Sequence, residues 1–240
     1  MSASASSATA PKDRSWLDAL TCVTAALDAK RIAYFLDTGT LLGAVRDGAF
    51  IPWDNDIDIG VLDCPHYDAR LDAAIEALIA AGFVANRATT GVGFFSPAGV
   101  EVNLKLYKDD GDGLIGDYSH HTHPSRFWNF LYNVASDEHV SSHGNRLSYR
   151  VKSLLIGMRP LWRLLTLPWL SSRMTHKQLV SRVRKSSLLP LGTIRFYDTD
   201  FRAPGDCRTY LDDRYGASWE TPVRDYDYTR DDQSIAGNRS

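Results

Sequence analysis

The 240-residue chain has few cysteines, no long apolar run and, over one long segment, no acidic residue. Its three cysteines (Cys22, Cys64 and Cys207) are far apart in sequence and form no Cys-x-x-Cys pair, which argues against a disulfide framework and favours a reducing compartment. The absence of 18 consecutive apolar residues means that no membrane-spanning helix is predicted. Residues 1–10 lack both the basic and the apolar part of a secretory signal, so we expect a cytoplasmic protein.

Basic residues are concentrated where acidic residues are missing. The whole chain has a formal net charge of −2, yet His139–Tyr197 contains eleven Lys and Arg residues and no Asp or Glu. This segment either contacts an anionic partner or consists of helices with solvated basic faces. Leu154–Leu170 combines Leu, Ile and Trp with a basic stripe, which is typical of a helix at a membrane interface and equally of two short helices packed on the core. We predict a basic, mostly helical insertion at about 125–195, with peripheral contact to an anionic membrane as one of two open interpretations; no nucleic acid partner is expected.

Hydrophobic periodicity predicts helices alternating with strands. The predicted helices are Trp16–Lys30, Thr38–Arg46 and Asp68–Ala81, and the predicted strands are Ile32–Leu36, Asp56–Val61 and Val100–Tyr107. This alternation indicates the α/β (α+β) class, with a mixed sheet flanked by helices. We expect a single domain over 13–228, a disordered leader at 1–12 and a flexible tail at 229–240.

The strongest functional signal is a row of alternating aspartates in Pro52–Ile59. Side chains two residues apart share one face of a strand, so Asp54, Asp56 and Asp58 are predicted to point the same way. Such close carboxylates repel one another, and a divalent cation between them would relieve the repulsion. Ligands that are all oxygens favour Mg²⁺ or Mn²⁺. A solvated acidic strand is the alternative.

A second signal lies just upstream, in Asp37–Arg46. Gly39 and Thr40 stand at a predicted strand-to-helix junction, where free backbone N–H groups beside a hydroxyl form a phosphate site. A phosphate loop followed by an Asp-x-Asp strand is the equipment of phosphoryl or nucleotidyl transfer. Arg46 would clamp a phosphate, or it would pair with Asp47 or Asp54.

Asp37–Arg46, continued by Gly48–Asp58, resembles the signature of the LicD family, which includes bacterial phosphocholine transferases, fukutin and the fukutin-related protein. Tyr210–Pro222 is similar to the Tyr-Gly-x-x-Trp-x-x-Pro stretch with which the family closes. The resemblance implies a nucleotidyltransferase-type fold. It also implies Mg²⁺-dependent transfer of a phospho-alcohol, such as phosphocholine or ribitol phosphate, from a CDP-activated donor to a glycan or glycolipid hydroxyl, with release of CMP.

The resemblance makes Asp56 and Asp58 the metal pair. In the nucleotidyltransferase superfamily a third carboxylate lies on a later strand, here Val100–Tyr107. The resemblance leaves open whether Glu101 or Asn103 takes that position; we prefer Glu101, because it can accept a proton and Asn103 cannot. The candidate catalytic and metal-binding residues are Asp56, Asp58 and Glu101, and the candidate substrate- or nucleotide-binding residues are Gly39, Thr40, Gly43, Arg46, Asp54 and Lys105.

Two other functions remain open on the sequence alone. One is nucleotidyl transfer, in which NMP from an NTP is placed on a small acceptor and pyrophosphate is released. The other is a catalytically silent protein that binds a membrane surface. Near the C-terminus, Tyr210, Tyr215 and Trp219 are interpreted as packing residues.

Overall fold

The computed structural model describes residues 11–65, 67–88, 90–122 and 172–235, together with Ser125, Trp128 and Trp169. The described helices are α1 (Pro11–Ala29), α2 (Thr38–Arg46), α3 (Ala69–Ala80), α4 (Lys185–Leu188), α5 (Cys207–Tyr215) and α6 (Tyr228–Asp231). The described strands are β1 (Tyr34–Leu36), β2 (Asp56–Leu62), β3 (Val84–Ala88), β4 (Gly91–Phe95), β5 (Glu101–Asp109), β6 (Gly113–Thr122), β7 (Thr175–Arg184), β8 (Gly192–Phe196) and β9 (Thr199–Ala203).

Seven strands form one mixed sheet. Its main path runs β1-β2-β5-β4-β3, and β6 pairs with the last residues of β5 and with β7. The pair β2–β5 is parallel and the other pairs of this sheet are antiparallel. Strands β8 and β9 form a separate hairpin. The architecture is the mixed α/β class that the sequence predicts, so this prediction is confirmed.

The sheet is packed against apolar helix faces. On α1, Leu20, Val23 and Leu27 recur at helical spacing and are fully buried. On β2, Ile57 and Ile59 are also fully buried, which leaves the intervening aspartates on the opposite face of the strand. The apolar side of β2 therefore anchors the strand, and its acidic side is held in a fixed position.

The parallel register of β2 and β5 places polar residues side by side. Asp56 is opposite Glu101, and Asp58 is opposite Asn103. Two residues further along, Gly60 is opposite Lys105. Because paired residues of neighbouring strands project to the same face, four polar side chains and Lys105 share one patch of the sheet.

The predicted helical insertion is wrong for 175–184 and 192–195, which belong to strands β7 and β8. The reason is a period-two pattern: Leu179, Ser181 and Val183 are buried, while the basic Arg182 and Arg184 are exposed. The basic charge is therefore displayed on one face of a strand. The predicted helix at Leu154–Leu170 lies outside the described residues except for Trp169.

The predicted termini also need correction. Pro11 and Lys12 belong to α1, and 228–231 form α6 in place of a flexible tail. Beyond α6, Asp232, Ser234 and Ile235 are buried, because they pair with groups of the sheet and of α5. Among the helices that the structure describes, the length and apolar character required to span a bilayer are not met.

Candidate active site

A cavity of about 290 Å³ opens over the polar patch of β2 and β5. Its wall includes residues of α2, of the 51–55 loop, of β6 and of the stretch that follows α5. The polar lining includes Thr38, Asp54, Asp56, Asp58, Asn103 and Lys105. The aromatic lining includes Trp53, Tyr118, Tyr215, Trp219, Tyr226 and Tyr228. Acidic and aromatic side chains thus line the same cavity.

The three aspartates predicted to share a face all line this cavity. Burial raises the pKa of the Asp56 carboxyl well above its usual range, and the negative charges of Asp58, Asp54 and Glu101 raise it further. Ionisation of Asp56 is therefore unfavourable, because it adds a buried negative charge close to other carboxylates. A cation bound among these carboxylates would remove that cost.

The N-terminus of α2 is built around the same aspartates. The carboxylate of Asp37 caps the helix by accepting a hydrogen bond from the Thr38 N–H at 2.7 Å. Thr38 has a φ of +40°, a strained conformation for a β-branched residue, and its hydroxyl donates to Asp58 Oδ2. Thr38 was not predicted as a site residue, although its place directly after a helix-capping Asp was a usable signal in the sequence.

Thr40 and the glycines of α2 have different roles from one another. The Thr40 hydroxyl accepts a hydrogen bond from the Asp58 N–H at 2.9 Å, so it ties α2 to β2. A Cβ on Gly39 would lie 2.3 Å from Asp54 Oδ2, so only glycine lets this carboxylate approach the helix. A Cβ on Gly43 would lie 2.6 Å from the Ala49 carbonyl oxygen, which gives Gly43 a packing role away from the cavity.

Arg46 lines the cavity and is paired. Its guanidinium donates to both carboxylate oxygens of Asp47, at 2.9 and 2.7 Å. Of the partners considered for Arg46 from the sequence, the structure therefore shows Asp47. The bidentate pair orients the guanidinium at the cavity wall.

Both candidates for the third position lie beside the aspartates. Asn103 Nδ2 donates to Asp56 Oδ2 at 2.9 Å, and Asn103 lines the cavity. Its Oδ1 is buried and has no hydrogen-bond partner among the described residues. Glu101 is buried next to Asp56 in the register and is not part of the cavity wall.

Lys105 lines the cavity and also pairs with Asp37, as part of a charged network that was not predicted from the sequence. Its ammonium lies 3.2 Å from Asp37 Oδ2 and 4.2 Å from the centre of the Tyr118 ring. Burial alone would lower the pKa of Lys105, but the Asp37 carboxylate raises it above its ordinary value, so the ammonium stays charged. The lysine thus brings a fixed positive charge to the acidic site.

Asp37 is completely buried and does not line the cavity. It accepts hydrogen bonds from the Tyr210 hydroxyl at 2.5 Å and the Tyr107 hydroxyl at 2.8 Å. Burial favours the neutral acid, but Lys105, Arg214 and these hydroxyls hold the pKa of Asp37 well below its usual range. Tyr210, interpreted from the sequence as packing, is therefore also a hydrogen-bond donor to the helix-capping carboxylate.

The donor set suits Mg²⁺ that is bound together with a phosphate. Within the described ranges, no three His, Cys, Asp or Glu side chains form a ready-made metal cluster. Asp56 and Asp58 supply two carboxylates, and Asn103 Oδ1 is an orphaned buried oxygen beside them. Mg²⁺ typically takes one or two carboxylates, keeps several waters and completes its shell with substrate phosphates. The residues present fit that arrangement.

The family comparison agrees with this geometry. Residues 31–123 match the LicD family model. Its description is LicD/FKTN/FKRP, nucleotidyltransferase domain. The match spans α2, β2 and the part of β5 that carries the polar patch, and it confirms the LicD resemblance seen in the sequence.

Three relatives match this chain over a short stretch. "Ribitol 5-phosphate transferase FKRP" of Mus musculus and of Homo sapiens are each 49% identical over 39 residues, which is 16% of this chain and 8% of the relative. An uncharacterized protein of Rickettsia prowazekii (strain Madrid E) is 50% identical over 36 residues, 15% of this chain and 14% of the relative. The match thus spans a small part of the length of these relatives.

Among solved structures, the antibiotic-resistance factor ANT(2'')-Ia is similar to this chain at 13% sequence identity. Its solution structure gives a TM-score of 0.33 over 67% of this chain and 94% of that chain. A crystal structure of ANT(2'')-Ia in complex with adenylyl-2''-tobramycin also gives 0.33, over 66% and 98%. A TM-score this low supports no argument about function.

Proposed function

We propose that this LicD-related protein is a Mg²⁺-dependent transferase that moves a phospho-alcohol from a CDP-activated donor to a glycan hydroxyl and releases CMP. The observation that carries the proposal is the convergence of Asp54, Asp56 and Asp58 with the N-terminus of α2 and the Lys105 ammonium on one cavity. The LicD match over this region and the similarity to FKRP, a ribitol 5-phosphate transferase, support the choice of reaction class.

In the proposed reaction, an acceptor hydroxyl oxygen attacks the phosphorus that bears the alcohol. The bond from that phosphorus to the bridging oxygen of the diphosphate breaks, and CMP leaves with the bonding electrons. The acceptor proton passes to a base, for which Glu101 is the candidate predicted from the sequence; because Glu101 is buried beside Asp56 and does not line the cavity, this role requires that donor binding open a path to its carboxylate. When bound, Mg²⁺ would neutralise charge on the phosphate oxygens.

The residues of the chain bind and orient the donor. Asp56 and Asp58 would hold Mg²⁺, while the N–H groups at the start of α2 and the Lys105 ammonium would face the diphosphate. Thr38 keeps Asp58 in a single orientation through its hydroxyl. Arg46, oriented by Asp47, adds a second positive charge at the wall. The charges that a diphosphate requires are thus arranged before it binds.

The test is a donor panel. The protein is incubated with CDP-choline, CDP-ribitol, CDP-glycerol and ordinary NTPs, with and without Mg²⁺, and the released nucleotide is identified by mass spectrometry. The proposal predicts CMP from one of the CDP-alcohols and only with a divalent cation. Release of pyrophosphate from an NTP would show nucleotidyl transfer instead. Release of neither CMP nor pyrophosphate, whichever acceptor is added, would favour the catalytically silent protein that binds a membrane surface.

A further inference from the structure

The residues that follow α5 form a wall of the cavity. Tyr226, Tyr228 and Asp232 line it, and we call Tyr226–Ile235 the C-terminal segment. The Tyr228 ring stacks on Tyr118 with centroids 5.8 Å apart, and the Tyr226 ring lies 5.0 Å from that of Tyr215. The segment is therefore packed against two aromatic residues of the cavity wall, Tyr118 and Tyr215.

The far end of the segment is fastened to the sheet. The Arg182 N–H donates to the Ser234 carbonyl at 2.9 Å, and the hydroxyls of Ser181 and Ser234 are 2.6 Å apart. Ile235 forms a β-bridge with Ser181 and is buried. These contacts extend the edge of β7 and give the segment a defined position.

A fully buried arginine holds the middle of the segment. Arg214 of α5 donates to Asp232 Oδ2 at 2.7 Å, and its carbonyl oxygen accepts from the Gln233 N–H at 2.8 Å. Asp232 is buried as well, and its other carboxylate oxygen accepts from the Ser234 N–H at 2.9 Å. A buried ion pair with these hydrogen bonds is lost only at a high cost, because either partner left alone would be an uncompensated charge.

The same guanidinium reaches the N-terminal end of α2. Arg214 lies 3.6 Å from Asp37 Oδ1, and it donates to the hydroxyls of Tyr107 at 2.8 Å and Tyr210 at 3.3 Å. Both hydroxyls in turn donate to Asp37, which caps α2. Lys105 pairs with Asp37 as well. Two cations and two carboxylates thus form one buried network with no formal net charge.

We infer that Arg214 is a positioning residue that couples the docked C-terminal segment to the α2 N-terminus and Lys105. Arg214 does not line the cavity; it acts through Asp37 on the α2 N-terminus and on Lys105, and through Asp232 on the segment. It also donates to the hydroxyl of Tyr118, a cavity residue, at 3.2 Å. When the C-terminal segment is released, Arg214 loses its ion pair with Asp232. Asp37, which contacts both Arg214 and Lys105, then shifts together with Arg214. The kinetic part of this inference rests on the proposed function, whereas the anchoring part does not.

The variants are Arg214→Lys and Asp232→Asn. Lysine keeps the charge but has no planar group with which to contact Asp232, Asp37 and three tyrosine hydroxyls at once. Asparagine keeps the shape of Asp232 and removes its charge. The matched controls are Arg195→Lys and Asp200→Asn, since Arg195 and Asp200 form an ion pair at 3.1 Å in which both side chains are more than half exposed and neither lines the cavity. Circular dichroism first verifies that each variant is folded.

The first measurement is hydrogen exchange of peptides that cover 226–235. Anchoring by Arg214 predicts exchange at least about 10-fold faster in both test variants and no change in the controls, because local opening governs exchange. Equal exchange in Asp232→Asn and Asp200→Asn would overturn the anchoring, whether or not a donor has been found.

The second measurement separates KM from kcat with the CDP-alcohol that is turned over. A loss of folded protein lowers only the apparent kcat, whereas a displaced α2 N-terminus and Lys105 weaken donor binding. We expect the donor KM to rise about fivefold or more in Arg214→Lys and Asp232→Asn. Faster exchange with an unchanged KM would overturn the coupling. If wild type turns over no CDP-alcohol, the proposed function fails, and the exchange comparison alone decides on the anchor.

Discussion

Asn103 Nδ2 donates a hydrogen bond to Asp56 Oδ2 at 2.9 Å across the parallel pair β2–β5. This contact places an amide at the acidic cluster, while the charged Glu101 lies opposite Asp56 in the same register. The amide stabilises the Asp56 carboxylate, whereas Glu101 adds to burial, Asp58 and Asp54 in raising the pKa of that carboxyl. The two neighbours therefore act on one aspartate in opposite directions.

The first prediction concerns these two neighbours. We expect Glu101→Gln to lower turnover by about 10²-fold or more and Asn103→Ala to be tolerated better, because only Glu101 accepts a proton. The measurement is the rate of CMP release by each variant. An inactive Asn103→Ala beside a near-normal Glu101→Gln would assign the third position to Asn103.

The second prediction concerns the capping aspartate. Because the pKa of folded Asp37 lies well below its usual range, its ionisation stabilises the fold above the unfolded-state pKa of about 3.9, and this stability is lost as the pH falls through the folded pKa. Asp37→Asn should thus lower the free energy of unfolding at pH 7 by about 3 kcal/mol or more, the cost of breaking a buried charge pair. Urea unfolding checks this. Asp28→Asn, in an exposed pair with Arg202, is the control and should cost less than about 1 kcal/mol.

The third prediction concerns Asp56, whose ionisation changes the stability of the fold in the opposite direction to that of Asp37. Because the pKa of folded Asp56 is raised, the folded state binds its proton more tightly, and ionisation of Asp56 lowers stability as the pH rises from the unfolded pKa towards the folded one. In EDTA at pH 7, Asp56→Asn should therefore have a melting temperature equal to or above that of wild type. The difference should shrink as the pH is lowered towards about 4. A clear drop in melting temperature at pH 7 would contradict the account of mutual repulsion.

The fourth prediction concerns the approach of Asp54 to α2. In Gly39→Ala the new methyl group would overlap Asp54 Oδ2, so the carboxylate must move and turnover should fall about 10-fold or more. Gly192→Ala is the control, because its nearest contact would be an ordinary 3.6 Å. Steady-state rates of both variants, compared at equal folded concentration, make the measurement. Unchanged turnover in Gly39→Ala would show that the position of Asp54 is not critical.

The fifth prediction concerns the basic segment. Trp169 is half exposed, and the Arg173 guanidinium lies 4.6 Å from the centre of its ring. We expect salt-sensitive co-sedimentation with anionic vesicles, since a basic residue near such a surface contributes about 1 kcal/mol. Trp169→Ala and Arg173→Glu should weaken it, and Arg70→Glu, outside the segment, should not. Equal binding to neutral vesicles, or none to either type, would leave the segment with a solvated basic face.

The sequence predicted most of what lies close together along the chain. Thr38–Arg46 is the helix expected, and the aspartates of β2 share a face because a strand has a period of two. Both features follow from local spacing. The parallel register that brings Glu101 and Asn103 beside Asp56 and Asp58 depends on two strands more than forty residues apart, so the sequence left it open.

The buried network could not be predicted from the sequence, for a related reason. Asp37, Lys105 and Arg214 are far apart in the chain, and an arginine in a polar helix such as α5 is usually solvated. The polar composition of 229–235 likewise suggested a flexible tail, whereas the ion pair of Asp232 with Arg214 makes this stretch a wall of the cavity. The pairing of Asp232 with Arg214 of α5 overturned the expectation of a flexible tail for these residues.

The central claim is that Asp56 and Asp58 hold the Mg²⁺ with which the phospho-alcohol is transferred. The most direct measurement is the rate of CMP release at saturating Mg²⁺ and CDP-alcohol by wild type, Asp56→Asn and Asp58→Asn. We predict that both variants fold and that each turns over at less than about a tenth of the wild-type rate, because a metal ligand supplies several kcal/mol of transition-state stabilisation. Turnover above that level in either variant, or release of CMP by wild type in EDTA, would contradict the account.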